Sequence, residues 1–198
     1  MTELKKENNN ARPACGRAFL SRDGKPLYCC LFSGGLVLPD LAAHLIFWPL
    51  MVIGIVLDLW TKKAIFNWLL QKPANNIPII DGFLQMVTAE NTGAAFGMAA
   101  GQRYLLAVVS GFALVAILGI FLFGGIKQKL IHVALGFFAA GVCGNLWDRI
   151  FNDGRVRDFI DVYYHQYHWP AFNIADTMLC IAVGLLIISS LRPSKHSL

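Results

Sequence analysis

Apolar residues in this chain fall into four long runs separated by shorter polar stretches, and that alternation predicts the architecture. Residues 41–57, LAAHLIFWPLMVIGIVL, carry no full charge and with their neighbours approach the ~20 residues a helix needs to cross a bilayer. Pro49 can kink this first span, and His44 near its start reads as a hydrogen-bonded interfacial side chain rather than a ligand. Residues 104–123 form a second uncharged run. Residues 130–147 form a third, with Gly136, Gly141 and Gly144 permitting close helix contact, and residues 171–191 form a fourth. Between the first two spans the pattern changes: Ala64, Ile65, Trp68 and Leu69 mark an amphipathic surface helix, which residues 73–76 (PANN) break. Residues 77–80 and the alternating residues 83–87 flank Asp81-Gly82 and read as a hairpin. The small residues of 90–97, ENTGAAFG, follow as a loop that lets a backbone approach closely. The expected fold is an all-α membrane protein: four transmembrane helices, a small extracytoplasmic β cradle and an amphipathic surface helix.

Composition agrees with a membrane setting. With 56% hydrophobic and only 15% charged residues in 198, the chain is too apolar for an ordinary soluble domain. Its net charge of +5 does not point to nucleic acid, because Lys and Arg are scattered and form no stripe interleaved with stacking aromatics. The five cysteines lack paired metal-ligand spacing and read as small apolar fillers. Residues 1–39 are polar and basic without helical or strand periodicity, and are expected to be a disordered cytoplasmic extension with no convincing targeting signal. Residues 40–191 are the four-span domain and residues 192–198 a short tail. Ten of the seventeen Lys and Arg residues fall in the N-terminal tail, the loop between spans two and three, and the C-terminus. The positive-inside rule then places both termini in the cytoplasm.

That topology carries polar residues from separate segments to one membrane face. Asp58 and Lys62, four apart on one helix face, end span one, and Asn91 lies in the first outer loop. Asn145, Asp148 and Arg149 stand at i, i+3 and i+4 at the end of span three. Asn173 and Asp176 open span four, and Asp158 lies in the connection between these spans. An Asp at the start of a membrane span is by default a functional-site hypothesis. Two neighbouring carboxylates cannot both ionise easily, so one can act as general base on water while the other donates a proton to a carbonyl. That chemistry is peptide hydrolysis without a metal or cofactor. Two readings compete with it: a metal site at Asp161, His165 and His168, and a small ion or proton transporter that relays charge through intramembrane carboxylates.

In this order the residues resemble those of the bacterial prolipoprotein signal peptidases, signal peptidase II. The segments that carry the likeness are Asp58-Leu59-Trp60-Thr61-Lys62, Asn91-Thr92-Gly93-Ala94-Ala95-Phe96, Gly144-Asn145-Leu146-Trp147-Asp148-Arg149, Val156-Arg157-Asp158-Phe159-Ile160-Asp161 and Phe172-Asn173-Ile174-Ala175-Asp176. The resemblance spans residues 41–191; the N-terminal tail is longer than the family usually carries, and the connection from Arg149 to Asp158 slightly so. It implies an inner-membrane aspartic endopeptidase, with Asp158 and Asp176 as the catalytic pair near the outer face. Asn91, Asn145, Arg149 and Asn173 would position the substrate or the aspartates, while Asp58, Lys62 and Asp148 would be structural. The implied substrate is a diacylglyceryl-modified prolipoprotein, cut just before the lipidated cysteine; membrane lipids are the other expected partner, and the expected state is a monomer. Asp161 is the nearest rival for the role of Asp158.

Overall fold

A computed structural model describes residues 38–93 and 98–191. The expected N-terminal extension before Leu38, residues 94–97 of the small-residue loop and the tail after Leu191 lie outside the described residues. Helix α1 (Leu41–Leu69) begins at Asp40, whose side chain accepts from the Ala43 N–H at 2.8 Å and caps one orphan donor of the first turn. Strands β1 (Asn76–Ile80) and β2 (Leu84–Asn91) follow, then helices α2 (Arg103–Phe123) and α3 (Lys129–Phe151). Strands β3 (Val156–Tyr164) and β4 (Tyr167–His168) lead into helix α4 (Ile174–Leu191). All four helices are long and apolar enough to span a membrane.

Helix α1 runs further than its apolar pattern suggests. The sequence places a separate surface helix after Lys62, whereas α1 continues unbroken to Leu69. No Pro or Gly interrupts residues 58–69, and Asp58, Lys62, Phe66 and Leu69 extend the buried stripe begun by Ala43, Phe47 and Gly54. At 1.5 Å per residue the helix is about 43 Å long, beyond the ~30 Å hydrocarbon thickness, so its last turns reach the membrane boundary. Pro49 is accommodated within it.

Helix α3 forms the centre of the bundle and packs against α1, α2 and α4. At one end Phe47 and Phe121 stack at 4.0 Å, with the buried His132 edge-on to Phe121. His44 is bonded as expected of an interfacial histidine: its Nδ1 accepts from Trp48 Nε1 at 3.0 Å. At the other end Gly144 lets α3 approach α1 and α4, since a Cβ there would run into the Asp58 carboxylate and lie 3.3 Å from Ala175 Cβ.

The strands form one antiparallel sheet in the order β1-β2-β3-β4. The hairpin around Asp81-Gly82 is present, but the sheet is larger than the sequence pattern indicates. Glu90 and Asn91 belong to β2, paired with Arg157 and Val156, rather than to a loop, and residues 156–164 are a strand. A one-residue shift in β2 between Met86 and Ala89 changes the register and sets Ala89 opposite Asp158. Phe172 then joins α4 to the sheet: its carbonyl accepts from the N–H groups of Phe159 and Ile160, and its own N–H donates to the Ile160 carbonyl.

The close approach at Gly144 yields a paired test. Gly144→Ala should cost about 1–3 kcal/mol through overpacking, lowering the thermal midpoint in detergent and displacing Asp58. Gly111→Ala on α2, where an added Cβ meets nothing within 4 Å, should leave the midpoint unchanged. Equal midpoints for both variants would show that the close approach is not tight.

Candidate active site

Five elements converge where α1, α3 and α4 meet the sheet. Asp58 and Lys62 come from α1, Asn91 from β2, Asn145, Asp148 and Arg149 from α3, Asp158 from β3, and Asn173 and Asp176 from the start of α4. Asp58, Lys62, Asp148 and Asn173 are fully buried, and Asp158 is 2% exposed. Charges so placed must be paired and hydrogen-bonded.

Lys62 anchors the group. Its Nζ lies 2.7 Å from Asp58 Oδ2, 3.5 Å from Asp148 Oδ2 and 3.0 Å from Asn145 Oδ1. An ammonium can only donate, so the Asn145 atom facing it is the carbonyl oxygen. The amide nitrogen of Asn145 therefore points away and donates to Asp176 Oδ1 at 2.8 Å.

A second chain of hydrogen bonds starts from the backbone of α4. Asn173 precedes the helix and Asp176 is its third residue, and the two form a reciprocal capping box: Asp176 N–H donates to Asn173 Oδ1 at 2.9 Å, and Asn173 N–H donates to Asp176 Oδ2 at 3.2 Å. Because the backbone N–H must donate, the oxygen of Asn173 faces it and the amide nitrogen faces Asp158 Oδ1 at 2.6 Å. The same nitrogen reaches Asn145 Oδ1 at 3.1 Å. Asp58 accepts the Ala175 N–H at 2.8 Å, so three of the first backbone donors of this helix end are satisfied inside the cluster.

Asp148 fixes the strand that carries Asp158. Its Oδ1 pairs with Arg157 Nη2 at 2.5 Å, and its Oδ2 accepts the Arg157 backbone N–H at 3.0 Å, one residue before Asp158. Arg149 donates to the carbonyls of Gly93 at 3.1 Å and Asn145 at 3.4 Å, and its charge acts on Asp176, Asp158 and Asp148. Asn91 accepts the Gly93 N–H at 2.9 Å and also hydrogen-bonds Asp158. Burial, and then the negative charge of Asp176, push the Asp158 carboxyl up to about 7; the hydrogen bonds of Asn173 and Asn91 and the charge of Lys62 oppose the rise. Three cations, Lys62, Arg149 and Arg157, face four carboxylates, Asp58, Asp148, Asp158 and Asp176. The cluster is neutral when one carboxylate keeps its proton.

All nine residues read from the sequence as catalytic, positioning or structural thus lie in one network. Asp161 does not join it. Its Oδ2 meets Gln85 Nε2 at 2.6 Å and His168 Nδ1 at 2.8 Å. The metal alternative at Asp161, His165 and His168 does not assemble: His165 packs against Tyr164 in the β3–β4 turn, and among the described residues no three His, Cys, Asp or Glu are placed to hold a metal ion. Sequence reasoning missed Arg157 as the brace of Asp148. The available signal was a cation directly before Asp158, with Arg155 two residues further back.

Comparison with known proteins matches this site to a family. The family description "Signal peptidase (SPase) II" matches residues 50–192. The chain belongs to the signal peptidase II family. It is a membrane peptidase. A lipoprotein signal peptidase of Syntrophus aciditrophicus is 37% identical over 180 residues, covering 87% of this chain and 98% of the relative. Another, from Halalkalibacterium halodurans, is 32% identical over 153 residues, covering 77% and 96%. A solved structure of a bacterial membrane enzyme superposes with a TM-score of 0.67 at 30% identity, covering 79% of this chain and 94% of that one.

The role of Lys62 in the peptidase is open to a direct test. Lys62→Met would leave Asp58 and Asp148 buried beside a neutral side chain, at a cost of about 3–5 kcal/mol. A large drop in the thermal midpoint in detergent is expected, with loss of activity. An unchanged midpoint would show that the ammonium does not hold the carboxylates together.

Proposed function

We propose that the chain is an intramembrane aspartic endopeptidase that removes the signal peptide from diacylglyceryl-modified prolipoproteins, cutting just before the lipidated cysteine. The observation that carries this reading is the bridge through Asn173, which donates its side-chain amide to Asp158 and its backbone N–H to Asp176. Two carboxylates from different elements are thereby tied through one residue. The family and its relatives, named as lipoprotein signal peptidases, support the substrate class.

The hydrogen-bond polarity divides the work. Asp176 accepts donors on both oxygens in the first turn of α4, a setting matched to negative charge. Asp158 holds the shared proton. A water between them loses a proton to Asp176 as its oxygen attacks the scissile carbonyl carbon, while Asp158 gives its proton to the carbonyl oxygen. The resulting gem-diol collapses when the leaving nitrogen takes the proton from Asp176 and the C–N bond breaks. One diol hydroxyl then returns its proton to Asp158. The products are a new carboxyl terminus and the free amine of the lipidated cysteine. Arg149 and Asn91 would hold the substrate beside the pair.

In this reading the enzyme is a monomer of the bacterial inner membrane, with both termini cytoplasmic and the site near the outer face. Acyl chains that stay in lipid then reach the site laterally.

Asp158→Asn and Asp176→Asn preserve shape and should each reduce cleavage of a diacylated prolipoprotein by at least about a hundredfold in folded protein. Asp161→Asn should retain most activity, and chelators should have no effect. Normal cleavage by either dyad variant would remove the aspartic mechanism, and inhibition by chelators with rescue by added metal would replace it.

The pH profile gives a separate check. The singly protonated pair is present below about 7 and is lost as pH rises through it, so kcat/KM should fall on the alkaline side of about 7. A profile rising through that region would contradict a proton held on Asp158.

A further inference from the structure

A cavity of about 290 Å³ lies beside the dyad cluster, at the start of α2 and the end of α3. Its polar lining is Arg103, Tyr104, Arg149 and Asp153; its apolar lining includes Ala107 and Ile150. Arg103 is held in place on two sides. Its guanidinium lies 4.7 Å from the centre of the Tyr104 ring and donates to the Tyr104 hydroxyl at 2.7 Å. Its side chain also passes over Gly154, where a Cβ would come within 2.9 Å of Arg103 Cδ. Gly154 has φ +82°, so a side chain there is disfavoured by the backbone as well as by Arg103.

The cavity is rich in unused donors. Arg149 Nε is buried and has no hydrogen-bond partner among the described residues. Arg103 has further N–H groups beyond the one given to Tyr104. Gln102, which precedes α2, supplies no side-chain cap to the first turn of that helix. Such a lining calls for a ligand rich in acceptors. Asp153 in the same lining disfavours a phosphate, and leaves a neutral acceptor group as the better match. The volume is at the low end for small-molecule sites and suits a compact polar group rather than acyl chains. Tyr104 and Ile150 are 74% and 56% exposed, so the rim opens onto the surface the helices present to lipid.

We propose that this cavity receives the glyceryl ester groups of the substrate's lipidated cysteine, with Arg103 and Arg149 donating to the ester carbonyl oxygens. The inference rests on the substrate class proposed above. In that substrate the glyceryl group hangs from the sulfur of the residue next to the scissile bond, so its esters are tethered close to the dyad by that residue's side chain. Arg149 meets this requirement, because it lines the cavity and also acts on Asp158 and Asp176. Arg103 is then a specificity residue that touches the lipid part of the substrate.

The test compares one prolipoprotein carrying either a diacylglyceryl (ester) or a dialkylglyceryl (ether) cysteine of equal chain length, with the full-length enzyme in phospholipid nanodiscs. The wild type should show a KM about tenfold lower for the ester, the scale of one hydrogen bond to a charged donor. Arg103→Ala should erase most of that preference by raising the ester KM, with the loss on KM rather than kcat. Arg103→Lys keeps the charge without the planar fork and should also lose most of it. The wild-type comparison needs no variant to fold. Equal KM values for ester and ether in the wild type, or an Arg103→Ala defect of equal size on both, would overturn the inference. Competition by anionic phospholipid that Arg103→Ala abolishes, with ester and ether treated alike, would assign the cavity to a phospholipid headgroup and overturn it too. Cleavage of neither lipidated precursor, by an enzyme that cuts the unlipidated one, would instead sink the proposed substrate class and this inference with it.

Discussion

Seven charged side chains gathered where three membrane-spanning helices meet the sheet are the constraint on which the rest depends. Charge beside hydrocarbon is tolerated only when it is paired, hydrogen-bonded and close to neutral overall. Lys62 meets that demand for Asp58 and Asp148, and Arg157 does so for the other side of Asp148. Several features of the fold follow from this pairing. Helix α1 must continue past Asp58 so that Lys62 can reach α3, and α3 must carry glycine at 144 so that the Asp58 carboxylate fits against it. Asp148 captures the N–H of Arg157, the second residue of strand β3, which places Asp158 in the cluster.

The dyad inherits its geometry from groups that cannot change role. An ammonium and a helix N-terminus can only donate, and each fixes the orientation of one asparagine amide. Asn145 and Asn173 pass that polarity on to Asp176 and Asp158. Structure and catalysis therefore share atoms: Asp176 is both the capping partner of Asn173 and half of the proposed catalytic pair. The arginines mark the outer boundary of this network. Arg149 belongs to the charged cluster and also to the cavity that Arg103 lines, and in the proposed reading it would link peptide cleavage to recognition of the lipid next to it.

Much of this arrangement was legible in the sequence, because membrane spans are written as long apolar runs and polar residues at their ends stand out. The four helices, the hairpin at Asp81-Gly82 and the convergence of Asp158 with Asp176 all follow from that contrast. What was hidden depends on long-range pairing. Residues 156–164 lack the clean alternation of a half-exposed strand, since Asp158, Phe159 and Asp161 are all buried, and they become a strand by pairing with β2. The continuation of α1 was masked for a related reason: Asp58 and Lys62 look like a solvated helix end until α3 supplies Asn145 and Asp148 opposite them. Arg157 reads in the sequence as an ordinary surface cation, although it is largely covered and its backbone and side chain both hold Asp148. Asp161 and Asp158 are separated only by their partners, which a sequence does not show.

The central claim is that four carboxylates and three cations hold one proton among them, and that it resides on the Asp158–Asp176 pair. Infrared difference spectroscopy of the protein in lipid, titrated across the region of about 7, reads that proton directly through the carbonyl stretch of a protonated carboxyl group. One such band should be present below about 7, should disappear above it, and should be lost or shifted in Asp158→Asn but unchanged in Asp161→Asn. A band that persists unaltered in Asp158→Asn, or its absence from the wild type throughout the titration, would contradict the account.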